Sequence, residues 1–220
     1  MLHSPFGITL ELSFATATTL ILLGAPIAYG IAFSRRMGSV LGELLVSLTL
    51  VFPPAVLGYL LMVWFSPDHL VGRLFERAFG HPLAFSFEGL VVASMIYSLP
   101  FAVQPLTQAF RSVPSSQIEM AQILGAGRLT TFLRILLPLS LPGFLTAWVL
   151  SFAHTVGEFG VVLMVGGNIP GETRTLSIEA YEDLLALDFV NARKAVFALL
   201  LLSLGSLLAI GLLSRWRRSG

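Results

Sequence analysis

The chain has 220 residues, 55% hydrophobic and 11% charged, with a net charge of +1 and a mean hydropathy of +0.86. A soluble domain carries roughly 25% charged residues, so too few polar side chains remain to coat a globule, and lipid must solvate much of the surface. The chain lacks cysteine, which excludes a disulfide framework, a thiolate metal site and a cysteine nucleophile, and the four histidines (His3, His69, His81, His154) never approach metal-ligand spacing.

A hydrocarbon core about 30 Å thick needs about 20 mostly apolar residues as helix. Five segments qualify, at about 7–33, 41–65, 89–110, 141–165 and 195–213, which predicts an all-α integral membrane protein. The first has no basic leader and is too long for a cleaved signal peptide, so it is expected to be a span. No repeat or low-complexity stretch divides the sequence, and residues 1–220 are expected to form a single transmembrane domain.

Charge orients the bundle. With the N-terminus outside, the cytoplasmic side holds Arg35, Arg36, Arg111, Arg128, Arg134, Arg215, Arg217 and Arg218. The outer side holds Arg73, Arg77, Arg174, Arg193 and Lys194, with most of the acids. This bias predicts an outside N-terminus and a cytoplasmic C-terminus.

Three spans carry internal prolines: Pro53 and Pro54, then Pro100 and Pro105, then Pro138 and Pro142. Each removes a backbone donor, which a membrane tolerates only where neighbours or water satisfy the freed carbonyl. Gly143, Ala147, Ser151 and Thr155 recur every four residues in the fourth span, as do Gly24, Ala28 and Ala32 in the first. Such stripes serve close helix packing; the fourth could instead line a substrate path.

The loop at 111–138 has structure of its own. Ser116-x-x-Glu119 fits a capping box, the helix it opens stops near Gly125-Ala126-Gly127, and Leu129, Phe132, Leu133 and Leu136 form a second apolar stripe. Two short amphipathic helices either fold on their own bundle or dock in a partner's groove.

Glu119-Met120-Ala121, three residues, Gly125, nine residues, then Ile135-x-Leu137-Pro138 resembles the EAA loop of bacterial ABC importer permeases, with Met120 where alanine is usual. The resemblance implies the type I ABC importer permease fold and a loop that serves as the coupling element seated on a separate ATPase. Glu119, Met120, Ala121, Gly125, Ile135, Leu137 and Pro138 are the coupling residues it implies. Glu119 also reads as an acid favoured near a helix start. Gly157-Glu158-Phe159-Gly160, Asn168-Ile169-Pro170-Gly171-Glu172-Thr173-Arg174-Thr175, and Phe52-Pro53-Pro54 with Gly58-Tyr59 are similar to the molybdate permeases, and more loosely to the sulfate permeases. Some relatives carry a sixth, N-terminal helix; this sequence has room for five.

The resemblance further implies import of an oxyanion, molybdate or tungstate, across the inner membrane by alternating access. It implies a second copy of the chain, two ATP-binding cassette subunits and an extracytoplasmic oxyanion-binding protein as partners, with lipid around the bundle and no nucleic acid. The chain lacks a phosphate-binding loop, so no catalytic site and no bound cofactor or metal are expected; ATP and magnesium belong to the partner ATPase. Pro53, Pro54, Gly58, Ser151, Thr155 and Glu158 are the candidate pathway residues. Like charges repel in a low-dielectric path, so Glu158 reads as structural or gating, with Arg174 as the available base. His154, one turn away, reads as a packing residue. The alternatives are a sulfate-type permease and a stand-alone secondary transporter, although five spans do not divide into inverted repeats.

Overall fold

The computed structural model describes residues 4–216, with side chains through residue 208; Arg217, Arg218 and His3 lie outside the described residues. Every regular element among them is helical. Helix α1 is Pro5–Phe33, opened by Ser4, whose hydroxyl accepts from the Gly7 amide at 3.1 Å, with Pro5 in the first turn. Next come α2 (Arg36–Val51), α3 (Pro54–Phe65), α4 (Leu70–Phe79) and α5 (Phe87–Arg111), followed by α6 (Ser115–Ile123) and α7 (Arg128–Thr131). A π-helical turn at Phe132–Leu136 leads into α8 (Leu137–Val156), and α9 (Gly160–Gly166), α10 (Leu176–Leu185) and α11 (Phe189–Trp216) complete the chain.

Four helices are long and apolar enough to cross a membrane, and the bent pair α2–α3 is the fifth candidate. The second expected span, 41–65, is therefore broken, with a 102° bend between its halves. Phe52 and Pro53 each precede a proline, which pushes the preceding residue out of the helical region, and both hold extended ψ values of 133°.

The fourth expected span, 141–165, is displaced towards the loop. The helix is continuous from Arg128 to Val156, so α7 is the root of the span rather than a separate short helix. In the widened turn the Leu137 amide bonds the Phe132 carbonyl, five residues back. This shift sits directly before Pro138, which has no N–H to give the ladder. The far end stops at Gly157, and α9 is a separate short helix.

Helices α1, α5 and α8 pack on one another as the centre of the bundle. Their apolar contacts run through Ala28, Ile31, Val103, Leu106, Phe110 and Ala147. The small-residue stripes lie at these contacts: Ala28, Ala147 and Ser151 are fully covered, and Gly24 faces Val103 and Ala102 of α5. Close approach of backbones is what holds helices together when lipid is as apolar as the side chains. Five buried hydroxyls are satisfied along the chain itself: Thr9, Ser13, Thr107, Ser140 and Thr155 each donate to the carbonyl four residues earlier.

Asp188 caps α11, accepting from the Asn191 amide at 3.1 Å and its side-chain nitrogen at 2.7 Å. The backbone N–H bond, then the side-chain one, holds the Asp188 carboxyl below its usual range.

Candidate functional site

The loop at 111–138 holds one separate short helix, α6, because its second expected helix is continuous with α8. Pro114, not Ser116, holds the position before α6, and no side chain caps it, so the expected capping box does not form. Pro114 already supplies extended backbone (φ −59°, ψ 131°), and Ser116 falls inside the first turn with helical backbone, too late to cap it.

Helix α6 has two different faces. Ala121 is buried, and Ile118 packs on the cluster formed by Phe110, Val113 and Leu136. The opposite side presents Met120, Ile123 and Leu124, the last two 84% and 81% exposed. One face of α6 is therefore folded on its own bundle, and the other is open. The stripe on α7 divides likewise: Leu136 is buried and Phe132 partly so, while Leu129 and Leu133 are exposed. Glu119 and Pro138 are exposed; Ile135 and Leu137 are half-buried.

Gly125 acts through conformation. Its φ of +82° is left-handed, the Ala126 amide bonds the Ala121 carbonyl at 2.9 Å, and its own amide bonds Gln122 at 3.0 Å. These two bonds close a Schellman motif. A Cβ added at Gly125 would meet nothing within 4 Å, so the cost of substitution is torsional, about 1–2 kcal/mol for a residue with a Cβ. Gly125→Val is expected to loosen the end of α6 while Gly125→Asn, which tolerates this region, is milder. Exchange of the Ala126 amide reads the difference; equal protection in both variants would refute it.

The structure brings together two segments distant in sequence. Gly58 of α3 lies against α9, where an added Cβ would stand 2.8 Å from Met164 Cβ and 3.0 Å from Val161 Cα. Gly160 reciprocally faces Pro54, at 2.9 Å. Pro54, Gly58 and the Gly157–Gly160 break thus form one contact, with Pro53 exposed at the bend.

Ser151 and Thr155 are buried within the bundle. Thr155 Oγ1 lies 3.2 Å from Ser98 Oγ of α5, which is 2.8 Å from His154 Nδ1. Phe101 stacks on the His154 ring at 4.0 Å. Thr155 and His154 thus fasten α8 to Ser98 and Phe101 of α5.

Glu158 lies in the break after α8, 4% exposed. Ser94 is beside its carboxylate, but the two do not meet in hydrogen-bonding geometry. Arg174 does not pair with it; its Nε donates to Asn168 Oδ1 at 2.7 Å. The Glu158 backbone carbonyl accepts from Ser177 Oγ at 2.6 Å. The run 168–175 is itself a pinned turn: the buried Thr173 hydroxyl donates to the Gly166 carbonyl at 2.6 Å and accepts from the Ile169 amide at 2.9 Å.

Residues 20–218 match the family described as "Binding-protein-dependent transport system inner membrane component". A molybdenum transport system permease protein of Azotobacter vinelandii is 44% identical over 92% of this chain and 90% of its own length. Its counterpart in Escherichia coli K12 is 37% identical over 77% of this chain and 76% of its own. Among solved structures, the methionine ABC transporter in an inward-facing conformation superposes with a TM-score of 0.64 at 18% identity, covering 94% of this chain and 93% of that one. A bacterial alginate ABC transporter gives 0.70 at 18% identity, over 97% and 77%. With the fold of the type I ABC importer permeases and a family match across nearly its whole length, the chain belongs to the inner-membrane components of binding-protein-dependent transport systems.

Proposed function

We propose that this chain is the pore-forming subunit of an ATP-driven importer of molybdate or tungstate. Two copies form the pore, each seats α6 in a cleft of a partner ATPase that uses ATP and magnesium, and an extracytoplasmic binding protein delivers the anion. The observation that carries the coupling role is α6, a short helix anchored by Ile118 and Ala121 with Met120, Ile123 and Leu124 turned outward. An amphipathic helix in that arrangement suits a hydrophobic groove. The substrate follows the molybdenum permeases, 44% and 37% identical to this chain. The N-terminus is outside and the C-terminus cytoplasmic, on the arginine bias.

In this reading Glu119, Met120, Ala121 and Gly125 shape the ATPase contact, and Ile135, Leu137 and Pro138 transmit its movement into α8 through the π-helical turn. The Pro53–Pro54 bend, Gly58 and Glu158 border the path, and Ser151 and Thr155 hold α8 in register against it.

The test is reconstitution with the ATPase and binding protein in proteoliposomes. ATP-dependent uptake of labelled molybdate, competed by tungstate and not by sulfate, is the expected result. Equal competition by sulfate would favour the sulfate-type alternative, and uptake without the ATPase would favour a secondary transporter.

A further inference from the structure

A polar lane runs along one side of an otherwise apolar bundle. On α2, Ser39, Glu43 and Ser47 recur every four residues; on α5, Gln104, Gln108 and Arg111 follow at intervals of four and three. Glu43 and Ser47 face Gln104, Thr107 and Gln108 across a groove of about 320 Å³ whose walls also include Ile31, Val46 and Val103. Gln104 Nε2 donates to Ser47 Oγ at 3.0 Å. Arg111 Nη2 donates to both Ser39 Oγ and Glu43 Oε1 at 2.5 Å. Seven residues of helix separate Gln104 from Arg111, the last residue of α5, so the lane reaches about 10 Å in from that helix end.

Polar and charged side chains at that depth face water or protein, not acyl chains. The lane lies at the coupling end of the bundle, because Arg111 is the last residue of α5 and α6 follows after Ser112–Pro114. Its chemistry suits a tetrahedral oxyanion: hydroxyls, side-chain amides and a guanidinium all donate to anionic oxygens. Glu43 alone is a pure acceptor, and it is committed to Arg111. An unpaired arginine here would hold a dianion, whereas conduction requires a site weak enough to leave.

We propose that the α2/α5 groove is the inward oxyanion site of the path, with Ser47, Gln104 and Gln108 as donors and Glu43 cancelling the charge of Arg111 so that the anion passes on. This rests on the oxyanion-import reading above.

The experiment uses the assembled importer. Glu43→Gln keeps the shape and frees the arginine. Binding of labelled molybdate to the solubilised complex without its binding protein is expected to rise about tenfold, and ATP-driven uptake to fall by about as much. Glu43→Gln with Arg111→Gln returns binding to the wild-type level. Gln104→Leu with Gln108→Leu, on the exposed groove wall, lowers uptake roughly fivefold with assembly intact, as expected when polar partners of an anion are removed. Unchanged retention in Glu43→Gln, with Arg111→Gln alone equally damaging, would reduce the pair to a structural clamp and overturn the proposal. Normal uptake in the Gln104→Leu/Gln108→Leu variant would overturn it too. A wild-type complex inactive with molybdate fails the import reading itself and this one with it; an active wild type with unaffected variants fails this one alone.

Discussion

Replacing Ile123 and Leu124 together by aspartate is expected to abolish ATP-driven uptake and co-purification with the ATPase while leaving the folded permease intact. The two side chains are 84% and 81% exposed, so the chain loses almost no internal contact, and an exposed substitution of this kind costs within about 0.5 kcal/mol of stability. A buried apolar anchor at a protein interface is worth about 2 kcal/mol or more, and two carboxylates carried into an apolar cleft add a desolvation cost. Association therefore weakens by well over an order of magnitude while the unfolding temperature barely moves. The contrasting variant is Ile118→Asp, on the face packed against Val113 and Leu136, which is expected to lower folded yield. Undiminished co-purification of the Ile123/Leu124 variant would show that the outer face of α6 is not the docking surface.

Gly143→Ala is expected to destabilise the bundle more than any other single methyl addition along the α8 stripe. The added carbon would stand 2.1 Å from Ala109 Cβ on α5, with Ala109 Cα at 3.5 Å and the Pro105 carbonyl at 3.6 Å. Ala109 has no rotamer to turn away, so the helices must separate, a cost of about 1–3 kcal/mol for overpacking of an interior. The companion change makes the claim specific. Ala109→Gly removes the colliding methyl and leaves the new carbon at ordinary contact with Ala109 Cα, so Ala109→Gly with Gly143→Ala should recover much of the lost stability. Thermal midpoints and monodisperse yield in detergent read both variants. A single Gly143→Ala variant as stable as wild type would mean that α5 and α8 are not so closely apposed.

The limits of sequence reading fall at particular residues. Span existence was legible because hydrophobic length is a one-dimensional property, and α1, α5 and α11 occur where apolar runs require them. Breaks were harder. Pro53-Pro54 is visible in the sequence, but whether two prolines merely kink a span or turn it by 102° depends on α9 receiving α3 at Gly58 and Gly160. The apolar content of 157–165 matches a continuing helix, and only the packing of α9 on α3 explains why the chain stops at Gly157 and starts again. The stripe through Ser151 and Thr155 has one spacing and two meanings, and its burial between helices is visible only in the structure. The lane of Ser39, Glu43, Ser47, Gln104, Gln108 and Arg111 escaped notice because its halves lie over fifty residues apart; a four-residue recurrence of polar side chains inside each apolar run was the available clue.

By itself the sequence determined that this chain lives in lipid and spans it with about five helices, because the transfer energy of side chains adds along the chain. It also carried a fixed spacing from Glu119 to Pro138 that resembles the EAA loop, because such a pattern lies within one stretch. Only the tertiary structure decided which face of α6 remains open, which glycines are contacts rather than turns, and how Arg111 meets Glu43. Each of these depends on the apposition of helices distant in sequence, a property that no local run of residues contains.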